Sequence, residues 1–270
     1  GSALGFRVTV HMSIDAAEWK KERLRRRGVT VVEHKTNYTE ACAVARAEAR
    51  NDPTIHFIDD ENSVDLFLGY ATALAPLQQQ LLSAGITVAP DRPLFLYLPC
   101  GVGGAPAGIT FAARHLFGDA VHCFFAEPVD APCILLGLIT GKHAGISVSH
   151  VGLECATDAD GLAVGTPSRL VGSIVEPLLS GCTTLRDSVL YGHLLDLHET
   201  EGIEVEPSAA AGCAGPRMLI ESAAGRTHLE ERSLLDVIPQ ATHIVWTTGG
   251  RLIPDEQHQA FREKAQAVTA

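Results

Sequence analysis

The sequence predicts an α/β protein built on parallel sheet, and three observations support this fold class. Segments of strand type and helix type alternate along the 270 residues, as in sheets whose strands are joined by crossover helices. Residues 94–98 form the clearest candidate for a fully buried strand. A glycine-rich loop follows that strand at once and leads into a helical pattern. We therefore expect a parallel sheet with a ligand-binding loop at its carboxyl edge.

The first part of the chain predicts three strands and two helices in alternation. The strands are expected at 6–12, 29–32 and 55–58, and the helices at 16–27 and 38–50. An acidic turn, Asp59-Asp60-Glu61-Asn62, follows the third strand. The best domain boundary lies near Phe67, between residues 1–66 and residues 67–270.

The second part predicts further helices and strands around the buried strand 94–98. Residues 130–165 are broken by Gly and Pro and carry no assignment. The expected helices are 63–82, 107–116, 170–179, 184–199, 208–222 and 255–267, and the other expected strands are 121–125 and 242–246.

Composition excludes several classes of partner. The formal net charge is −11, which argues against nucleic acid, because binding phosphates requires basic surface. No apolar run is long enough for a membrane span. The seven cysteines are odd in number and form no Cys-x-x-Cys pair, so we expect neither a disulfide framework nor a zinc site. A cytoplasmic protein, monomeric or homodimeric, is the simplest expectation.

The loop Cys100-Gly101-Val102-Gly103-Gly104-Ala105-Pro106 carries the strongest chemical signal. Glycines let the backbone approach an anion closely and direct several N–H groups at it. The helix that follows adds free donors and a favourable dipole at its N-terminus. The loop therefore suits a phosphate, although the same pattern could be only a tight turn.

Known nucleotide motifs do not match this loop. Its spacing is not Gly-x-Gly-x-x-Gly, and the chain contains no Gly-x-x-x-x-Gly-Lys-Ser/Thr. His193 and His198 are five residues apart on a predicted helix, so they are not a matched pair of metal ligands. The local pattern alone leaves the phosphate compound open.

Several segments, taken in their order along the chain, indicate which phosphate compound the loop binds, because together they resemble bacterial D-serine dehydratases. The resemblance runs in order over essentially the whole chain and is more specific than a general likeness to fold-type II pyridoxal-phosphate (PLP) enzymes. The matching segments are 8–13, 57–63, 66–70, 98–104, 125–128, 160–165, 206–208 and 248–250.

The resemblance implies a fold and a reaction. The fold would be that of fold-type II PLP enzymes, similar to the tryptophan-synthase β subunit, with three-layer parallel-sheet domains and an incomplete N-terminal part. The reaction would be the β-elimination of D-serine to pyruvate and ammonia. Residues 1–66 would be part of the small domain, and residues 67–270 would be most of the large domain, which binds PLP.

The resemblance also implies site residues. Backbone N–H groups of Gly101, Val102, Gly103 and Gly104 would hold the cofactor phosphate. Thr248 would hydrogen-bond the pyridine nitrogen, although a strand-end hydroxyl of this kind is commonly structural. Gly161 would pass close to the cofactor ring, although Asp160-Gly161 is also a plain turn signal.

Two acidic positions are implied in the same way. Asp59 is a candidate active-site carboxylate, although an acidic turn after a strand is usually solvated. Glu127 matches a cation site near the phosphate loop, which backbone oxygens of Ala131 and Cys133 could complete. Potassium is the expected ion. Alternatively, Glu127 is an acid at a strand end that forms a salt bridge.

The chain departs from the family pattern in two small ways and one large one. Ala105 and Ala107 replace expected glycines, and Arg251 replaces another after Gly250. More importantly, the Schiff-base lysine motif and the loop that binds the substrate are not recognisable. None of the five lysines matches, and Lys142 lies outside any recognisable lysine motif. We read the N-terminus as a cut inside a larger fold, and expect this polypeptide alone to be inactive.

Two alternatives stay open at this stage. The chain could belong to a related PLP lyase or racemase that acts on threonine or L-serine. It could also be a non-catalytic fragment that binds an anion.

Overall fold

The computed structural model describes residues 1–14, 16–35, 38–59 and 62–269. The described chain divides into two compact units, Gly1–Asp59 and Asp60–Ala270. Asp60 and Glu61 of the predicted acidic turn lie outside the described residues. The boundary predicted after residue 66 falls inside a helix of the second unit, and the assignment of the two parts as small and large domains stays a prediction.

The first unit contains two parallel strands and two helices. Strands β1 (Thr9–Ser13) and β2 (Thr30–His34) pair in register from Thr9 opposite Thr30 to Ser13 opposite His34. Helix α1 (Glu18–Arg25) connects them, and helix α2 (Tyr38–Asn51) follows β2. The alternation predicted for this part is confirmed as far as α2.

The third strand predicted for this unit is wrong. In the described part of the chain, residues 55–58 pair with no other strand. The Asp52 carboxylate accepts hydrogen bonds from the backbone N–H and the hydroxyl of Thr54, which makes a turn. Ile55 and Ile58 beyond it are exposed. A β-type sequence forms a strand only where a neighbouring strand completes its hydrogen bonds.

The second unit is organised around a four-stranded parallel sheet. Its strands lie in the order β5, β4, β3, β6, and every pair is parallel. The strands are β3 (Leu94–Pro99), β4 (Val121–Pro128), β5 (Gly181–Leu185) and β6 (Thr242–Val245). The predicted parallel α/β fold is thus confirmed, and its two central strands, β3 and β4, are buried along their whole length.

Helices connect these strands and cover the sheet. They are α3 (Val64–Ala71), α4 (Leu74–Ser83), α5 (Gly104–Phe117), α6 (Cys133–Thr140), α7 (Arg169–Val175), α8 (Asp187–Glu201), α9 (Pro207–Ala210), α10 (Gly215–Glu221), α11 (Ala223–Glu231) and α12 (Asp255–Thr269). None of the described helices is long and apolar enough to cross a membrane.

Alternation of side chains along β3 puts a helical layer on each face of the sheet. Leu94, Leu96 and Leu98 face the larger core, which α3 to α7 complete. Phe95 and Tyr97 face the opposite side and pack with residues of α10 and α11. This three-layer arrangement buries apolar side chains on both faces, as a parallel sheet requires.

Three other expectations about local structure need correction. The single helix predicted for 63–82 is two helices, α3 and α4, separated at Thr72, whose hydroxyl donates to the Gly69 carbonyl. The predicted helix 184–199 begins only at Asp187, because Gly181–Leu185 is strand β5. Helix 208–222 is interrupted between α9 and α10. Strand β5 is rich in Gly and Thr, and its pairing with β4 decides its conformation.

Candidate functional site

The carboxyl edge of the four-stranded sheet carries the candidate site. Strands β3, β4 and β6 are parallel neighbours, so the segments that leave them emerge on one edge. The segment after β3 is the loop Cys100–Gly103, which we call the anion loop. It enters α5 directly.

Free amide groups distinguish the anion loop. The backbone N–H groups of Gly101, Val102, Gly103, Gly104 and Ala105 have no hydrogen-bond acceptor in the part of the chain that the structure describes. The three glycines among them are buried. Buried amides without an acceptor are rare in folded proteins, so this cluster at a helix N-terminus fits a bound anion with several oxygens.

Glycine is required at two positions of this loop. Gly103 precedes α5 with φ of 101°, a conformation that side chains strongly disfavour. Gly101 lies close to the backbone at Gly161, because a Cβ atom placed on Gly101 would be 3.0 Å from the Gly161 carbonyl oxygen. Gly101 and Gly161 therefore lie side by side, and the place of Gly161 beside the cofactor ring stays a prediction.

Hydrogen bonds from four directions hold the backbone of the anion loop. The Cys100 N–H donates to the Ala126 carbonyl at 2.9 Å, and the Ser168 N–H donates to the Val102 carbonyl at 3.0 Å. The thiols of Cys133 and Cys100 lie 3.4 Å and 3.6 Å from the Gly101 carbonyl oxygen. Burial raises the pKa of both thiols well above the usual value, so both are protonated donors. The carbonyl groups are satisfied internally, and the amides are left for a ligand.

Ser208 supports Gly161 through a side-chain hydrogen bond. The Gly161 N–H donates to the Ser208 hydroxyl at 3.0 Å, and Ser208 is almost completely buried on α9. Sequence reasoning assigned no role to Ser208. The segment 206–208 was part of the resemblance, so its position could have been noticed, but only the fold shows its contact.

Thr248 lies just beyond β6, the neighbour of β3 in the sheet. The Trp246 N–H donates to the Tyr97 carbonyl at 3.0 Å, which holds the start of this segment beside β3. Thr248 itself is exposed. A Cβ atom on Gly249 would lie 2.3 Å from a carboxylate oxygen of Glu206, so Glu206 packs directly against the residue after Thr248. The structure places Thr248 on the same edge as the anion loop, and its role in binding stays a prediction.

Glu127 is completely buried at the end of β4. Its two carboxylate oxygens accept hydrogen bonds from the N–H groups of Ile134 and Leu135, at 2.8 Å and 2.9 Å. The carboxyl group therefore caps the N-terminus of α6. Burial raises its pKa to about 7, and the two amide donors partly offset that effect.

The cation site proposed at Glu127 is not tested by these contacts. Ala131 is buried and Cys133 begins α6. Among the described residues, no group of three or more His, Cys, Asp or Glu side chains is arranged for a metal. The geometry does show two roles that the sequence did not predict: Glu127 accepts from helix amides, and the Cys133 thiol donates to the Gly101 carbonyl.

Asp59 belongs to the first unit. Its carboxylate accepts a hydrogen bond from Arg46 at 3.0 Å, and its proposed place near a substrate stays a prediction.

Two lysines form ion pairs: Lys21 with Glu33 at 2.7 Å, and Lys264 with Asp158 at 2.5 Å. The hydrogen bond to Asp158 raises the pKa of Lys264, and a protonated amine is not a nucleophile.

Comparison with known proteins agrees with an anion-binding loop at the carboxyl edge of the sheet. A family model described as pyridoxal-phosphate dependent enzyme matches residues 1–233. A protein named probable D-serine dehydratase from Geobacillus kaustophilus is 53% identical over 268 residues, which cover 99% of this chain and 61% of that protein. The protein of the same name from Geobacillus stearothermophilus is 54% identical and is 57% covered. The chain thus spans about three fifths of the length of these curated relatives.

Solved structures agree on the fold. Diaminopropionate ammonia lyase from Escherichia coli in complex with D-serine superposes with a TM-score of 0.78 at 20% identity, covering 99% of this chain and 66% of that one. Serine racemase from Dictyostelium discoideum gives 0.68 at 19% identity, with 94% and 71% covered. The predicted fold-type II architecture is confirmed, and the amide cluster of the anion loop fits the phosphate of the family's cofactor. The chain belongs to the pyridoxal-phosphate dependent enzyme family.

Proposed function

We propose that the protein containing this chain eliminates the β-hydroxyl of D-serine to give pyruvate and ammonia, with pyridoxal phosphate as its cofactor. The observation that carries this proposal is the row of acceptor-free amides from Gly101 to Ala105, of which the three glycines are buried. It occurs in a member of this cofactor family whose relatives, more than half identical, are named probable D-serine dehydratases.

The anion loop would bind the cofactor phosphate. Five amide N–H groups can each donate to a phosphate oxygen, and the N-terminus of α5 adds the favourable end of its dipole. The thiols of Cys100 and Cys133 fix the Gly101 carbonyl, so the amides are directed before a ligand arrives. This preorganisation avoids the entropic cost of ordering a flexible glycine loop on binding.

Thr248 would hydrogen-bond the pyridine nitrogen from the end of β6. Pyridoxal phosphate supplies an electron sink for the α-carbon of a bound amino acid. A hydroxyl partner, unlike a carboxylate, does not hold the ring nitrogen protonated, which tempers that sink and suits elimination of the β-hydroxyl. Gly161, which carries no side chain, would leave space beside the ring.

Further assignments belong to the same proposal. Asp59 would be a carboxylate of the active site, and Glu127 with backbone oxygens of Ala131 and Cys133 would bind a monovalent cation such as potassium. D-Serine would be the substrate of a cytoplasmic monomer or homodimer without nucleic-acid or membrane partners. The lysine that binds the cofactor covalently would lie outside this chain, so the 270 residues alone would be inactive.

Turnover by the complete protein tests this function. Pyruvate release would be measured from D-serine, L-serine and L-threonine at equal concentrations, with and without added cofactor. We expect D-serine to be the fastest substrate. Faster release of the 2-oxo acid from L-threonine would contradict the substrate, and no cofactor-dependent release from any of them would contradict the reaction.

A further inference from the structure

Ser208 is a buried serine whose hydroxyl contacts Gly161, and Gly161 in turn lies next to Gly101 of the anion loop. Gly161 is itself exposed to solvent. A Cβ atom on Gly161 would be 3.1 Å from the Ser208 hydroxyl oxygen, and one on Gly101 would be 3.0 Å from the Gly161 carbonyl oxygen. The three residues are therefore in contact in the order Ser208, Gly161, Gly101.

The hydrogen bond from Gly161 to Ser208 sets the orientation of the Gly161 peptide. At 3.0 Å it satisfies an amide that is partly buried, and it anchors the short turn Asp160–Leu162 against α9. If it were lost, the peptide that joins Asp160 and Gly161 could rotate. The altered torsion angles at Gly161 would then shift the Gly161 carbonyl, which belongs to the next peptide, relative to Gly101. A Cβ atom placed on Gly101 would be 3.0 Å from the Gly161 carbonyl oxygen, so this oxygen lies beside the anion loop and its movement would change the surroundings of Gly101.

The other end of the same segment is independently fixed. Asp187 accepts hydrogen bonds from the Thr157 hydroxyl at 2.6 Å and from the Asp158 N–H at 2.7 Å. Lys264 of α12 pairs with Asp158. Residues 157 and 158 are held in this way, and the Leu162 N–H donates to the Ala159 carbonyl at 2.8 Å. The Ser208 hydroxyl adds the side-chain hydrogen bond to the Gly161 N–H.

We propose that Ser208 is a positioning residue for the cofactor phosphate, acting through Gly161 on the amides of the anion loop. This inference rests on the proposed function, since it takes the cofactor phosphate to be the ligand of that loop. Ser208 need not touch the cofactor. Its hydroxyl oxygen holds Gly161 in the position that lets Gly101 direct its amide at the phosphate.

The test compares Ser208 with a chemically matched serine. Ser222 caps α11, and its hydroxyl accepts from the Gly225 N–H at 2.9 Å, the same pair of groups at nearly the same distance. Ser208→Ala, Ser222→Ala and Ser208→Thr would be made in the complete protein. The dissociation constant of pyridoxal phosphate and the melting temperature of the apoprotein would be measured for each.

We expect Ser208→Ala to weaken cofactor binding about tenfold, the effect of one well-placed hydrogen bond. Ser222→Ala should change the dissociation constant less than about twofold, even though it loses a hydrogen bond of the same kind. Ser208→Thr, which keeps the acceptor oxygen, should restore most of the affinity. If Ser208→Ala does not fold, Ser208→Cys replaces it, since a thiol is a weaker acceptor of similar size.

Equal cofactor affinity in Ser208→Ala and Ser222→Ala would overturn the positioning role, as would failure of Ser208→Thr to bind better than Ser208→Ala. Pyruvate release from D-serine is measured separately. If the unaltered protein binds cofactor but releases no pyruvate, the proposed reaction fails and the role of Ser208 is still decided by the affinities. If it binds no cofactor, both proposals fall.

Discussion

Two helix N-termini at the same sheet edge use their free amides in opposite ways. Helix α5, after β3, begins at Gly104 with no side-chain cap and with its first amides open. Helix α6, after β4, has two amides occupied by the Glu127 carboxylate. Both ends attract negative charge for the same physical reason. One binds an anion of the protein itself, and the other is available for an anion from outside.

The difference shows how a fold separates stability from binding. The Glu127 side chain, which the protein itself supplies, closes α6 and contributes to folding without any ligand. The unpaired amides of α5 destabilise the folded protein until a ligand binds them. Glycines and protonated thiols nevertheless hold the loop in the conformation that exposes these amides. Substitutions at each end should therefore affect different measurements.

The largest expected effect is on stability, from Glu127→Ala. Removal of the carboxylate leaves two buried amides without acceptors, at about 1–3 kcal/mol each, so the free energy of unfolding should fall by about 4 kcal/mol at pH 6. Urea denaturation of the complete protein measures this change. The exposed Glu221, which pairs with Arg217, is the control, and its replacement by Ala should cost less than about 1 kcal/mol. A comparable small loss for Glu127 would contradict the capping role.

The second effect is the dependence of this stability on pH. The pKa of Glu127 is raised from 4.5 to about 7 in the folded chain, so folding favours the protonated carboxyl. Its contribution is fully present below pH 4.5 and is lost as the pH rises through 7, with a size of about 3 kcal/mol. The stability advantage of the unaltered protein over Glu127→Gln should shrink by that amount between pH 4.5 and pH 8.

Burial lowers the pKa of His122 to about 4, which produces the opposite trend. The contribution of His122 is present above pH 6.5 and is lost as the pH falls toward 4. Because both proteins contain His122, this trend cancels when they are compared. An advantage that stays constant from pH 4.5 to pH 8 would show that the two amides keep Glu127 ionised throughout.

The third effect is on cofactor affinity, from Gly103→Ala. Alanine at a φ of 101° is strained, and its Cβ atom would lie 2.9 Å from side-chain atoms of Ile134 and Val171, so the amides should turn away from the phosphate. We expect the dissociation constant of pyridoxal phosphate to rise about thirtyfold, or about 2 kcal/mol. Gly202 has a φ of 65° in open space, and Gly202→Ala controls for strain alone. Equal affinities in the two variants would argue against binding at the anion loop.

The smallest effect is stabilisation by inorganic phosphate. A ligand that binds only the folded state at ten times its dissociation constant adds about 1.4 kcal/mol. The melting temperature of the cofactor-free protein should therefore rise by about 2 °C. Sodium chloride at equal ionic strength is the control, and the shift should be absent in Gly103→Ala. A shift that survives in that variant would place the phosphate elsewhere.

Much of the fold followed from local sequence. The apolar strands β3 and β4 were recognisable because both faces of each are buried, so nearly every residue is apolar. The anion loop was recognisable because close approach and positive φ demand glycine. Strand β5 and helix α6 were not recognisable from the sequence. Their residues are typical of neither a strand nor a helix, and the elements packed against them determine their conformation. The strand predicted at 55–58 did not form although its residues are suitable, because no neighbouring strand pairs with it in the described part of the chain.

The sequence by itself determined the class of fold, the position of the anion loop and the family resemblance, because each depends on residues adjacent in the chain. Only the tertiary structure showed that Glu127 caps α6, that the Cys133 thiol supports Gly101, and that Ser208 stands behind Gly161. These contacts join residues between 7 and 47 positions apart. No local pattern encodes them, since they arise when parallel strands bring distant loops to one edge of a sheet.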